Sequence, residues 1–340
     1  MPPFNNAPVW QYGMVILPSY GRGGDVCSAS RQFPTPQRKK TVHRFALYLT
    51  LTSALLTVTA SAWAVPEQTT AGEKSKLLIL DGQNNHDWKA TTPVMKKALV
   101  DAGLFQVDVS TSPPRGQDLS GWKPDFAAYD VVLSNYNGAA WPAAVRKAFV
   151  DYVRNGGGFV CVHAADNAFG NWGEYNEIIG VGGWGGRNEN SGPYVYFTKD
   201  GKEVRDTSEG RAGSHGPQHE FQIVIRDGNH PITRGMPKAW LHAKDELYDY
   251  LRGPAAKMQV LATAYSAKQQ RGSDNHVPMM IVIEYGQGRI FHTPMGHADY
   301  SMRCVGFETT LIRGAEWAAT GNVTFPVPDD FPTADAVSNR

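Results

Sequence analysis

The segment "GGGFVCVHAADNAFGNW", residues 156–172, decides how the rest of the sequence is interpreted. Its glycines end a helical pattern, and the apolar run at residues 159–162 predicts a buried strand. His163 stands where this run stops, and Asp166, Asn167 and Trp172 follow in the loop behind it. A buried strand that ends on a histidine and a polar loop is typical of a parallel sheet that binds its ligand at the carboxyl ends of the strands.

The same type of strand recurs through the first part of the chain and alternates with amphipathic helices. The strands are predicted from "KLLILDG" (76–82), "FQVDVSTS" (105–112), "YDVVLSNYN" (129–137) and "FVCVHAA" (159–165). One helix is predicted over residues 91–103, with Thr92 as N-cap, and another over residues 141–158. This alternation predicts an α/β fold: a doubly wound, mostly parallel sheet with helices on both faces.

After Trp172 the pattern changes to hairpins. "YVYFTKDGKEV" (194–204) predicts a hairpin that turns at Asp200-Gly201, and "MMIVIEYGQGRIFHTPMGH" (279–297) predicts a second one. "FETTLIRGAEWAATG" (307–321) predicts a closing helix. Because there is no repeat and no long linker, we expect one domain over residues 65–325 and a tail over residues 326–340.

The N-terminal part of the chain predicts export. A basic segment, Arg38-Lys39-Lys40, precedes an uncharged apolar run over residues 45–64 that ends in an Ala-x-Ala site. This order is typical of a secretory signal, with cleavage after Ala64 and a periplasmic or secreted mature chain without a membrane span. A membrane anchor is the alternative, although the run is short and rich in Ser and Thr. Residues 1–37 are interpreted as the product of an upstream start codon.

Composition favours a small or neutral partner. The 340 residues include 33 basic and 32 acidic side chains, so the net charge of +1 provides no field that would recruit nucleic acid or an anionic membrane. Aromatic residues make up 11% of the chain, which suits a site that stacks on a sugar ring. Oligomeric state does not follow from the sequence. The mature chain has two cysteines, Cys161 and Cys304, which form either one disulfide or two unpaired buried thiols.

Polar, ligand-capable residues follow several of the predicted strands. They are found in "DGQNNHDW" (81–88), "SNYN" (134–137), "HAAD" (163–166) and "GH" (296–297). Because carboxyl ends of parallel strands meet at one edge of a sheet, we expect these residues to form a common site.

Several short motifs resemble the trehalose-utilisation ThuA-like family, whose fold is related to class I glutamine amidotransferases. The resemblance rests on "VRNGGGFVCVHAA", "WGEYNEIIG", "HPITRGMP", "DELYDYL", "GQGRIFHTPMGH" and "LIRGAEWAATG". It implies a flavodoxin-like α/β fold and a function in sugar catabolism, particularly of disaccharides and glycosides oxidised to 3-keto forms. Amidotransferases place a nucleophilic cysteine just after the strand, where this chain has His163, so thiol-dependent glutamine hydrolysis is not expected.

Imidazoles and carboxylates remain as the candidate chemical groups. The candidate catalytic residues are His163, His297, Asp166 and Glu246. The candidate substrate-binding residues are His86, Asp87, Asn135, Tyr136, Trp172, Tyr175 and Asp245.

Two mechanisms remain open at this point. In the first, His163, His219 and His297 bind zinc or a similar divalent ion; His219 matches the family's histidine ahead of the corresponding strand. In the second, no metal is needed: a neutral His163 beside Asp166 or Glu246 removes a proton next to a keto group while His297 polarises the carbonyl. The expected partner is a small carbohydrate. A sugar-binding module without turnover is the alternative to an enzyme.

Overall fold

The structure is a computed structural model that describes residues 73–340. The predicted signal and the segment before it therefore lie outside the described residues. Within residues 73–340, no helix combines the length and apolarity needed to cross a membrane.

The described chain alternates helices and strands first and adds antiparallel strands later. The helices are α1 (Trp88–Asp101), α2 (Ala143–Arg154), α3 (Gly173–Ile179), α4 (Asp299–Met302) and α5 (Val305–Thr320). The first four strands are β1 (Ser75–Asp81), β2 (Phe105–Thr111), β3 (Val131–Ser134) and β4 (Gly158–Val162). The later strands are β5 (Tyr194–Phe197), β6 (Glu203–Asp206), β7 (Ser214–His215), β8 (His219–Ile225), β9 (Ala239–Asp245), β10 (Tyr248–Asp249), β11 (Met258–Ser266), β12 (Asn275–Tyr285) and β13 (Gly288–Thr293).

One large sheet organises these elements. Its order is β2-β1-β3-β4-β13-β12-β11-β8-β9, with β5 paired to β12 and β6 to β5. The strands from β2 to β13 run parallel to one another, and those from β13 to β9 pair antiparallel. Strands β7 and β10 form a separate two-stranded sheet. The predicted α/β fold with a mostly parallel central sheet and added hairpins is confirmed.

Burial follows the pleat of the central strands. In β1, Leu77 and Ile79 join a core with α1 and α5, whereas Leu78 and Leu80 join a second core with α2 and α3. A strand with buried side chains on both faces must read as a continuous apolar run, which is why "LLIL" has no polar interruption. The parallel strands are therefore fixed between two helical layers, and their carboxyl ends hold the loops described below.

One local expectation needs correction. Helix α1 begins at Trp88 instead of near Thr92, because the Asp87 carboxylate caps it by accepting a hydrogen bond from the Ala90 N–H at 3.2 Å. Of the two alternatives for the cysteines, the structure has the second: Cys161 and Cys304 are both buried free thiols.

The tail after α5 packs on the domain without regular helix. Its backbone pairs with β9 through the Leu241 N–H and Thr333 carbonyl at 2.7 Å, and with the start of α5 through the Val305 N–H and Ser338 carbonyl at 2.8 Å. The tail thus covers the edge strand of the sheet.

Candidate functional site

Four side chains from distant parts of the chain meet at the carboxyl ends of the strands. His86 lies between β1 and α1, His163 follows β4, Glu246 follows β9, and His297 lies in the loop after β13. One nitrogen or oxygen from each lies within 4.8 Å of the corresponding atom of every other. We call this set the His–Glu cluster.

The backbone and ring of His163 are fixed by their surroundings. His163 has a φ of 44°, a left-handed conformation that is uncommon for residues other than glycine and that here turns the chain sharply out of β4. Its Nδ1 lies 2.7 Å from the Pro294 carbonyl oxygen, which can only accept, so Nδ1 carries the proton and Nε2 the lone pair. Within the described chain Nε2 is buried and has no hydrogen-bond partner.

The carboxylate of Glu246 lies at the centre of the cluster. Its Oε2 is 3.1 Å from His297 Nδ1, 3.6 Å from His86 Nε2 and 3.7 Å from His163 Nε2. The contacts to His86 and His163 are too long for hydrogen bonds, and His297 Nδ1 has no acceptably oriented partner among the described residues. The cluster therefore brings lone pairs together without satisfying them internally.

The neighbouring carboxylate, Asp245, is fully satisfied. Its Oδ1 accepts the N–H groups of Glu246 at 2.8 Å and His297 at 2.9 Å, and its Oδ2 accepts Gly296 N–H at 2.7 Å and His242 Nε2–H at 2.8 Å. Asp245 is 0% exposed. It joins the loop that carries Glu246 to the loop that carries His297, and so positions both.

The charges around the cluster shift several pKa values. Burial opposes ionisation of Glu246, but the surrounding rings of His163, His297 and His86 hold its pKa well below the usual range. Burial lowers the pKa of His86. Burial also acts to lower the pKa of His163, but Glu246, the charge of Asp245 and the Pro294 carbonyl together raise it. Glu246 is thus an anion facing rings that differ in their affinity for a proton.

The donor set fits a divalent transition metal ion. Imidazole nitrogens and a carboxylate oxygen are ligands of zinc and its neighbours. Ligand atoms bound at about 2.0–2.1 Å in a tetrahedron lie roughly 3.4 Å apart, close to the contacts that Glu246 Oε2 makes with the three rings. The unpartnered, buried Nε2 of His163 is the atom that most needs such a ligand.

A cavity of about 390 Å³ opens beside the cluster. Only His86 and Glu246 of the cluster line it; the other lining residues are Asn85, Asn137, Asn167, Trp184, Gly185, His215 and Tyr248. A molecule in this cavity would therefore meet one edge of the cluster, while His163, 3% exposed, lies behind it.

Two candidates that sequence analysis grouped with His163 lie outside the cluster, and both interpretations are corrected. Asp166 is fully buried, and its Oδ2 faces His292 Nε2 at 3.3 Å, so it does not pair with His163. The ring of His219 contacts its own loop at the Pro217 carbonyl, 2.9 Å from Nδ1. His86, which was predicted to bind substrate, takes the position among the ligand atoms that was expected for His219.

Four of the predicted substrate-binding residues are structural in this fold. Trp172 and Tyr175 stack on each other at 5.4 Å within the α2–α3 core, and the Tyr175 hydroxyl donates to the Ala165 carbonyl at 2.8 Å. Asn135 is buried and donates to the hydroxyls of two α1 threonines, and Tyr136 is 0% exposed. All four side chains are buried, and their contacts are made within the fold.

The remaining two substrate-binding candidates also have structural roles. Asp87 is the cap of α1, and Asp245 positions the loops. Of the predicted site residues, only His86 and Glu246 line the cavity; its other lining residues come from the same loops and from the segments around Trp184 and His215.

Most of the cavity-lining residues were not among the predicted site residues. Asn85 and Asn137 lie next to predicted residues, whereas Trp184 lies in a glycine-rich loop without periodicity. His215 lies in the same segment as His219, "GSHGPQHEF", but the family resemblance favoured His219. His215 Nδ1 lies 3.7 Å from Glu246 Oε1.

Comparison with known proteins agrees with the fold and the motifs. The family model for ThuA, described as trehalose utilisation, matches residues 76–318. The chain belongs to the ThuA family. Membership confirms the resemblance found in the sequence and indicates a carbohydrate-related function.

Solved structures similar to this ThuA-family chain include two bacterial ThuA-like proteins. A ThuA-like protein from Parabacteroides merdae is 50% identical, with a TM-score of 0.77 over 79% of this chain and 98% of that one. A ThuA-like protein from Bacteroides uniformis is 20% identical, with a TM-score of 0.52 over 76% of this chain and 98% of that one, and shares the fold. A search of curated proteins finds no significant match.

Proposed function

We propose that this ThuA-family chain is a metal-dependent enzyme that acts on a glycoside or disaccharide carrying a 3-keto group. The observation that carries the proposal is the convergence of three imidazole nitrogens and one carboxylate oxygen within 4.8 Å beside a cavity. The sugar is suggested by family membership, and the 3-keto form by the sequence resemblance.

The cluster residues divide into those that hold an ion and those that reach a substrate. His86, His163, His297 and Glu246 would hold the ion, and the ion when bound would supply stabilisation of negative charge developing on a keto oxygen. His163 is too deeply buried to act directly on a sugar, so the earlier idea of His163 as the base is replaced by a ligand role.

His215 is the candidate for proton transfer. It lines the cavity, and its Nδ1 lies 2.9 Å from the Gly216 carbonyl, which assigns the proton to Nδ1 and leaves Nε2 with the lone pair. In a 3-keto glycoside the hydrogen on C2 is acidic. His215 accepts this proton, the electron pair forms the C1=C2 bond, and the C1–O bond breaks. The departing oxygen takes up a proton from solvent, and His215 later releases the C2 proton to solvent, which gives an unsaturated keto sugar and a free alcohol.

The test is turnover of 3-keto-trehalose followed by NMR, with zinc and with chelator. We expect product only with metal. His163→Ala abolishes turnover and metal binding, whereas His215→Gln retains the metal and lowers kcat by about 100-fold or more. His219→Ala is the matched control, because this ring lies outside the cluster, and it should keep both properties.

Other results would favour other functions. Turnover that chelator does not affect, but that His215→Gln removes, would favour acid–base catalysis without an ion. Binding of the sugar without product under any condition would favour a non-catalytic sugar-binding module.

We also propose that the protein works outside the cytoplasm. The proposal rests on the basic and apolar segments that precede Val65. N-terminal sequencing of the mature protein from its native host should find Val65 first, and an intact N-terminus in the cytoplasmic fraction would contradict export.

A further inference from the structure

The cavity beside the His–Glu cluster has walls of a distinctive chemistry. Three asparagine amides, one tryptophan and one tyrosine line it, and among the described residues no lysine or arginine does. Its charged or chargeable lining groups, His86, His215 and Glu246, are confined to the cluster side. The walls remote from the cluster are therefore polar and uncharged.

The backbone conformation of Trp184 and its contacts with Gly213 and Tyr248 fix its side chain at the cavity. Its φ of 46° is in the left-handed region, which is rare for a bulky residue. Gly213 lies against the indole: a Cβ on Gly213 would come within 2.6 Å of it. The ring meets the edge of Tyr248 at 4.8 Å, and Tyr248 in turn lies 4.2 Å from the ring of His163. The half-buried indole of Trp184 is thus fixed at the cavity wall, and Tyr248 lies between it and His163 of the cluster.

The side-chain amides of the three asparagines are positioned by hydrogen bonds: two of them bond to each other, and the third bonds to Tyr248. Asn137 Nδ2 donates to Asn85 Oδ1 at 2.6 Å, and Asn167 Nδ2 donates to the Tyr248 hydroxyl at 3.2 Å. Each amide keeps further donor or acceptor capacity beyond these bonds, and Asn167 Oδ1 has no partner within the described chain. Fixed amides that can both donate and accept match sugar hydroxyls, which do the same.

The described side chains that line the cavity include no cation; Arg115 and Arg187 lie just outside the lining and donate to the backbone carbonyls of Asn137 and Asn167, each at 3.2 Å. Phosphate and carboxylate groups are usually bound by arginine, lysine or backbone amides at a helix N-terminus. Here an anionic group on the substrate would face amides and indole, and the anion of Glu246 on the cluster side. A volume of about 390 Å³ lies at the lower end of the range of roughly 300–1,000 Å³ for small-molecule sites, and suits a mono- or disaccharide.

We infer that this cavity is a subsite for an uncharged sugar ring, in which Trp184 packs on the ring and the asparagine amides bind its hydroxyls, and which discriminates against phosphorylated sugars. The inference rests on the proposed function for the sugar's orientation toward the cluster. Trp184 is a specificity-determining residue in this account and contributes to binding more than to the chemical step.

The experiment compares trehalose with trehalose 6-phosphate by isothermal titration calorimetry, on zinc-loaded and on chelated protein. The chelated sample removes any attraction of phosphate to an ion. Trehalose should bind at least 10-fold more tightly than its phosphate in the chelated protein, and Trp184→Ala should weaken trehalose binding about 10-fold, equivalent to about 1.4 kcal/mol, without changing zinc affinity. Trp184→Phe, which keeps a flat ring, should restore most of the affinity.

The outcomes separate this inference from the proposed function. Tighter binding of the phosphate to chelated protein, or Trp184→Ala and Trp184→Phe variants that fold and bind trehalose like wild type, would overturn the subsite. Trehalose binding that depends on Trp184 in a protein with no turnover would support the subsite and refute the enzyme. Turnover of 3-keto-trehalose with a KM unchanged in Trp184→Ala would support the enzyme and refute the subsite.

Discussion

Asp245 and Glu246 are adjacent carboxylates with opposite situations. Asp245 accepts four hydrogen bonds and is fully buried, whereas Glu246 accepts none among the described residues and faces three imidazole rings. A buried polar group that is satisfied by protein contributes to the fold, and one that is left unsatisfied marks a place for something else. The comparison assigns two roles to adjacent residues: Asp245 positions the loops of the site and is called its brace below, and Glu246 is available to bind an ion.

The largest expected effect comes from removing the brace. Asp245→Asn replaces a carboxylate by an amide whose NH₂ group cannot accept the N–H donors around it, and leaves buried donors unpaired. We expect the free energy of unfolding to fall by about 3–5 kcal/mol, measured by urea denaturation in the presence of chelator.

A matched control is available elsewhere in the fold. Asp249 is also buried and accepts the N–H groups of Tyr250 at 2.6 Å and Ser273 at 2.7 Å, but does not belong to the cluster. Asp249→Asn should lose some stability and keep zinc binding. If Asp245→Asn stayed within 1 kcal/mol of wild type, the assignment of Asp245 as the brace would be wrong.

The second expected effect concerns Glu246 itself. Glu246→Gln removes a charge that no described hydrogen bond uses but that the neighbouring imidazoles stabilise, so the apoprotein should lose some free energy of unfolding, less than Asp245→Asn loses. Zinc affinity should fall by about 100-fold or more, since a direct ligand matters at least as much as the groups that orient ligands. Competition with a fluorescent chelator measures this. A strongly destabilised apoprotein with wild-type zinc affinity would reverse the roles of the two carboxylates.

The smallest effect is a dependence of stability on pH through His242. Burial acts to lower its pKa, but the contacts with Asp245 and, less strongly, with Cys304 raise it to about 9. Because the folded-state pKa lies above the ordinary value of about 6.5, the stabilisation is complete below pH 6.5 and is lost as pH rises through 9. Between pH 7 and 9 the free energy of unfolding should fall by about 2 kcal/mol.

The contribution of Cys304 to the pH dependence of stability must be excluded from that measurement. Cys304 contacts the same ring, and although burial acts to raise its pKa, the contact with His242 lowers it, which contributes in the opposite direction. Denaturation across this pH range is therefore compared in Cys304→Ala and in Cys304→Ala/His242→Gln. An equal slope in the two proteins would show that His242 does not carry the effect.

The parallel half of the fold could be predicted because its signals are local. Continuous apolar runs such as "LLIL" and "FVCV" specify strands buried on both faces, and Gly103 and Gly156 mark the ends of the helices between the strands. Strand β9 has no such signal, since His242 and Lys244 interrupt its apolar residues. Without β9 in the prediction, the roles of the adjacent Asp245 and Glu246 could not be separated.

The site was predictable only to the level of its loops. His163, His297 and Glu246 follow strands, and the structure brings them together because strand ends converge. The choice between His86 and His219 depends on loop geometry far from either residue in sequence. Trp172 and Tyr175 were assigned to the sugar because they follow His163, but burial in the aromatic core decides their role. The sequence pattern indicates which loops form the site, and side-chain packing in the fold decides which residues of those loops face it.

The most direct test of the account is anomalous X-ray diffraction from crystals of the zinc-loaded protein, recorded on both sides of the zinc absorption edge. The account predicts one strong peak at about 2.0–2.2 Å from His86, His163, His297 and Glu246. A peak elsewhere on the protein, or density for ordered water alone among these four side chains at saturating zinc, would contradict it.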